Sequence, residues 1–92
     1  MKNRSNNSVY DQMQRMAELT IAMVLAGKLQ RAKKFINAAE KLFLSGNYQS
    51  RTAVSNVYLY DISTILELHR YNLQLLLPPN LQREYIKQIN SF

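Results

Sequence analysis

The chain has no cysteine, one histidine, two glycines and two prolines among its 92 residues, and each scarcity removes a class of chemistry. Without cysteine there is no disulfide, no thiolate nucleophile and no cysteine-based zinc site. A reducing, cytoplasmic setting is the expectation that follows. Gly27 and Gly46 stand alone as helix punctuation, so there is no glycine-rich phosphate loop. His69 has no metal partners at a recognised ligand spacing among Asp61, Glu67 and Glu84, and Ser63 lies off its helical face. The six acidic residues are scattered, which offers no carboxylate pair for glycosidase-like acid–base work. Long apolar runs are missing too. The stretch from Leu19 to Gly27 is about half of the roughly 20 residues that a bilayer span needs. Asp11 and Glu18 ahead of it rule out a signal-peptide core. No enzyme, cofactor, metal, membrane span or small-molecule substrate is expected.

What is present is helix-forming material, with 47% apolar residues and few breakers. Residues 1–7 are polar and expected to be a flexible N-terminus, ahead of one helical domain over 8–92. Ser8 is placed to cap a first helix over about 8–26, with Asp11 three residues on. Apolar positions at Met13, Met16, Ala17, Thr20, Met23 and Val24 follow the helical period, and Gly27 breaks it. A second helix over about 28–45 shows Leu29, Ala32, Phe35, Ile36, Ala39, Leu42 and Phe43 on one side. Helices joined around one glycine fold back on each other as an antiparallel hairpin. A third, longer helix over about 48–69 carries Ala53, Val54, Val57, Tyr58, Ile62, Ile65, Leu66 and Leu68. Its period of three and four is read as unbroken, with a distortion allowed near Tyr60 and Asp61. Pro78 and Pro79 end what precedes them and start a fourth helix over about 79–90. The fold class is therefore all-α, a four-helix, bundle-like domain.

Two resemblances follow from particular residues. Leu19, Met23, Gly27, Leu29, Ala32, Ile36 and Ala39 give the hairpin a resemblance to a single tetratricopeptide unit. Thr20 departs from that pattern, where a small residue is usual, and no second copy follows, so a repeat solenoid is not implied. Over most of the chain, AEKLFLSGN (Ala39 to Asn47), VYLYDISTILEL (Val57 to Leu68) and LLPPNLQREYIKQI (Leu76 to Ile89) resemble a family of small bacterial helical proteins of unknown function. That resemblance implies a bacterial origin and a helical bundle, and brings no site residues with it.

Two surfaces remain as candidates. Tyr58 and Tyr85 fall on apolar faces and are expected in the core or at its boundary, hydroxyls outward. Tyr60 and Tyr71 are harder to bury, and with Leu75 and Leu76 they suggest a protein-interaction surface, including a homodimer contact. The net charge of +6 raises an alternative in which Lys28, Arg31, Lys33, Lys34 and Lys41 of the second helix bind nucleic acid. The function expected is a non-enzymatic interaction module, with that nucleic-acid reading as its alternative.

Overall fold

The computed structural model describes residues 8–90, and among these the chain is all-α with no strand. The N-terminal segment 1–7 lies outside the described residues, as do 91–92. Helix α1 (Val9–Leu25) starts at the expected cap, where the Ser8 hydroxyl accepts the Asp11 N–H at 3.0 Å. It ends at Gly27, whose φ of +80° lets the Gly27 N–H reach the Val24 carbonyl and the Lys28 N–H the Met23 carbonyl. This paired closure satisfies two orphan carbonyls, and an L side chain at Gly27 would resist the backbone angle it requires. Helix α2 (Leu29–Leu44) then packs back along α1, burying Ala32, Ile36 and Ala39. The small side chains at Ala32 and Ala39 allow that close approach. Leu19 and Leu29, read as part of the hairpin's large-residue pattern, are instead 43% and 42% exposed. The core is served on those turns by Thr20 and Ala32.

The third helical stretch differs most from expectation. It runs as α3 (Tyr48–Ala53), a π-helical turn (Val54–Leu59) and α4 (Tyr60–Leu68) without interruption. The period read as unbroken is therefore broken by one wide turn, a few residues before Tyr60. The reason lies in burial. At about 100° per residue, an unbroken α-helix would carry Leu59, Ile62 and Leu66 roughly 80–140° round from Val54, out of line with the core. One extra residue taken up by the wide turn rotates them back, and all four are fully buried. Leu59 thus joins the core, while Leu68, assigned to the apolar face, is 75% exposed.

Helix α4 ends as α1 does. The Arg70 N–H bonds the Glu67 carbonyl and the Tyr71 N–H the Leu66 carbonyl, but the left-handed position is held by Arg70 at φ +66°. A single-turn helix, α5 (Leu73–Leu76), follows where a plain connection was expected, capped by the Asn72 side chain on the Gln74 N–H. Leu77 is extended, as a residue before proline should be, and α6 (Pro79–Ile89) begins at the second proline. No side chain of its own caps α6. Glu40 of α2 does so instead, accepting the Leu81 N–H at 3.0 Å. Leu81 and Tyr85 of α6 complete the core, with Met13, Ala17, Val24 and Ile36.

Inside that core is a polar pair. The Thr20 hydroxyl donates to the Met16 carbonyl at 2.8 Å and lies 2.8 Å from the Tyr58 hydroxyl, both residues fully buried. A threonine hydroxyl has one hydrogen to give, so Tyr58 donates to Thr20. Tyr58 was expected to keep its hydroxyl at the surface. It is drawn in because Thr20 supplies an acceptor there, and burial pushes its pKa well above the ordinary tyrosine value.

Candidate functional site

The hairpin that Gly27 closes leaves a groove on its outer side. α2 shows Arg31, Lys34 and Ala38 at steps of three and four, so they share a stripe, and Phe35 lies beside it. With Met23 of α1 these residues line a groove of about 550 Å³. Met23 and Phe35 are half-buried; Met23 packs on the core, and the two side chains together form an apolar floor. Leu19 lies one turn before Met23 and extends the apolar surface of α1. Arg31 and Lys34 are exposed at the rim. Among the described residues neither forms an ion pair; the one pair present joins Lys87 and Glu84 at 3.6 Å. An apolar floor with uncompensated cations at its edge can accept an amphipathic segment that carries acidic side chains.

The residues singled out from the sequence are placed as follows. Tyr60 and Leu75 are exposed, at 59% and 78%, and free of the core. Tyr71 and Leu76 are half-buried against it. The Tyr71 hydroxyl donates to the Val24 carbonyl at 3.3 Å, which ties the segment after α4 to the last turn of α1. Those two side chains are therefore engaged in the fold, and only Tyr60 and Leu75 are left as open surface. Lys28, Arg31, Lys33, Lys34 and Lys41 are all exposed. They do not make one strip, since Lys33 falls on the far side of α2 from Arg31, two residues away at about 100° each. His69 sits at the C-cap of α4, as a helix-end histidine should. No group of three or more potential metal ligands occurs among the described residues. No helix there is long and apolar enough to cross a membrane.

Folding also brings together carboxylates that are distant in sequence. Glu18 of α1 faces Asp61 of α4. Burial first, and the Glu18 charge second, push the Asp61 carboxyl above its ordinary value. Glu67 accepts a hydrogen bond from the Tyr85 hydroxyl, which burial and that carboxylate push up to about 12. Tyr85 sits at the core boundary, as expected, with its hydroxyl reaching outward to the exposed Glu67 carboxylate. None of these pairings is visible in the sequence, because each joins residues on different helices.

A family model described as a domain of unknown function, DUF7674, matches residues 1–91. The chain belongs to that family, which agrees with the resemblance to helical proteins of unknown function. No curated protein and no solved structure matches the chain.

Proposed function

We propose that this DUF7674 chain is a non-enzymatic helical interaction module that receives an acidic, amphipathic segment of a partner protein in the α1–α2 groove. The observation that carries this reading is the apolar floor of Met23, Phe35 and Ala38 beside Arg31 and Lys34, which have no acidic partner among the described residues. A helix with apolar residues at steps of three and four and acids flanking them would bury the floor and neutralise the rim. The likeness of the hairpin to a tetratricopeptide unit fits such a role. A bacterial, cytoplasmic setting fits the second family resemblance and the cysteine-free composition. Tyr60 and Leu75 supply apolar surface for the self-association mode.

The alternative, nucleic acid on the lysine-rich face of α2, is weaker on geometry. Its five cations spread round the helix, and an apolar floor beside a basic edge has no use for a phosphate backbone. Selection of random peptides on the immobilised protein separates the readings. Enriched peptides should pair Asp or Glu with apolar residues at helical spacing. Their affinity should fall at least about tenfold, roughly 1.4 kcal/mol, in the Arg31→Glu/Lys34→Glu variant. Lys33→Glu should leave it unchanged. Peptides with no acidic enrichment, or equal loss in Lys33→Glu, would refute the reading, and tight binding of duplex DNA by the same surface would favour the alternative.

A further inference from the structure

A second groove lies on another face, between α3, the π turn and α6. It has a volume of about 450 Å³ and is bordered by Tyr48, Arg51, Thr52 and Lys87. An adjoining recess of about 270 Å³ shares Phe43, Arg51, Glu84 and Lys87 with it and adds Arg83. Three cations from two helices therefore border one continuous depression that holds one carboxylate, Glu84. That carboxylate is already engaged. It accepts the Ser55 hydroxyl at 2.7 Å and sits 3.6 Å from the Lys87 ammonium. Lys87 is largely exposed, so the ion pair holds it weakly. Two positive charges remain uncompensated in the groove.

Arg51 is the most organised of the three. Its guanidinium lies over the Phe43 ring, 5.1 Å from the centroid. The cation–π contact holds the guanidinium without using up its N–H donors as hydrogen bonds to a carboxylate, and such a fork can grip an oxyanion through two parallel hydrogen bonds. A planar carboxylate would be satisfied by Arg51 alone. A tetrahedral phosphate takes donors from several directions, and Arg83 and Lys87 approach from α6. Tyr48 borders the same groove at 79% exposure, a large ring that the core leaves unused. Beside a phosphate site, such a ring is a platform for a planar heterocycle.

We propose that this groove binds a phosphorylated small molecule of mononucleotide type, with its phosphate among Arg51, Arg83 and Lys87 and its ring on Tyr48. The site does not depend on the α1–α2 groove and is tested separately from it. Titration of the full chain with adenosine monophosphate, inorganic phosphate and citrate, followed by NMR, should give saturable shifts for the nucleotide at residues around Arg51, Tyr48 and Lys87. Inorganic phosphate should bind the same residues more weakly. Arg51→Lys keeps the charge and loses the fork, so nucleotide binding should weaken about tenfold. Tyr48→Ala should erase the preference for nucleotide over phosphate. Both residues are exposed, and far-ultraviolet circular dichroism confirms that each variant folds. Arg31→Glu/Lys34→Glu should bind as the parent does. The proposal is overturned if the nucleotide does not saturate, if its shifts fall on the α2 lysines, if citrate binds as well as the nucleotide, or if Arg51→Lys matches the parent.

Discussion

Removing the Thr20 hydroxyl alone should be more harmful than removing it together with the Tyr58 hydroxyl. In Tyr58→Phe, Thr20 still donates to the Met16 carbonyl, so no buried donor is stranded and one hydrogen bond is lost. A loss of about 1 kcal/mol is expected. Thr20→Val keeps the shape and nearly the helix propensity but removes the acceptor, leaving a tyrosine O–H with no partner at a site with no solvent access. That stranded donor costs its desolvation, roughly 2–3 kcal/mol. In the double variant both polar atoms are gone and the site is apolar throughout, so the loss should fall below that of Thr20→Val alone. Urea unfolding followed by circular dichroism measures all four corners of the cycle, and an unchanged dependence on denaturant would show that the unfolded states are comparable. Additive losses, or a Thr20→Val variant as mild as Tyr58→Phe, would refute the proton order and the burial of the pair.

Three further outcomes are expected. Asp61 stands within a continuous helix and gains nothing from a helix start, while burial and Glu18 disfavour its charge. Its protonated form is favoured in the fold, so the associated stability is present below 3.8 and lost as pH rises through the raised folded value. Asp61→Asn should therefore stabilise the fold at neutral pH by up to about 0.5 kcal/mol, read as a higher urea midpoint, and the gain should vanish in acid; a loss at neutral pH would contradict this. Arg70→Gly should stabilise by about 1 kcal/mol or less, being the left-handed penalty minus the entropy that glycine adds to the unfolded chain, and Gly27→Ala should do the reverse; thermal melts of both variants check the two signs. Tyr85 ionises at 10.0 when unfolded and near 12 when folded, so stability held below pH 10 should decline as pH rises through 12. Tyr58 shifts the same way, so Tyr85→Phe should reduce the decline measured by alkaline urea titration without abolishing it.

Much of the fold was legible because helix starts and stops are local. Ser8, Gly27 and Pro79 act through their own backbone neighbours, and each sits where the sequence places it. The π turn was not legible in the same way. Its signal is a step of five between Val54 and Leu59, and this looks like ordinary scatter until the burial of Leu59 shows which residues must align. The single turn of α5 was hidden by the prolines after it, though Asn72 is a conventional cap. Candidate surface residues fared unevenly for a physical reason. Exposure of Tyr60 follows from helical phase alone, whereas Tyr71 depends on how the chain after α4 meets the end of α1, a tertiary fact. The second groove was invisible for the same reason: Phe43, Arg51 and Lys87 come from three helices, and no spacing rule connects them.

The wide turn between Val54 and Leu59 also divides the long helix into two parts that answer to different demands. Downstream, Leu59, Ile62 and Leu66 are seated in the core and fix the phase of α4. Upstream, Arg51 and Tyr48 owe their bearing to the number of residues the turn holds. Deleting one residue within it would swing the upstream part by about 100°. Arg51 would leave the Phe43 ring while the downstream anchors stayed in place. Because Ala53 and Val54 of the upstream part are themselves fully buried, the same change would turn them out of the core, so one turn sets both what the second groove displays and how the upstream part packs. For members of the family, the length of this segment becomes a marker of whether that groove is retained.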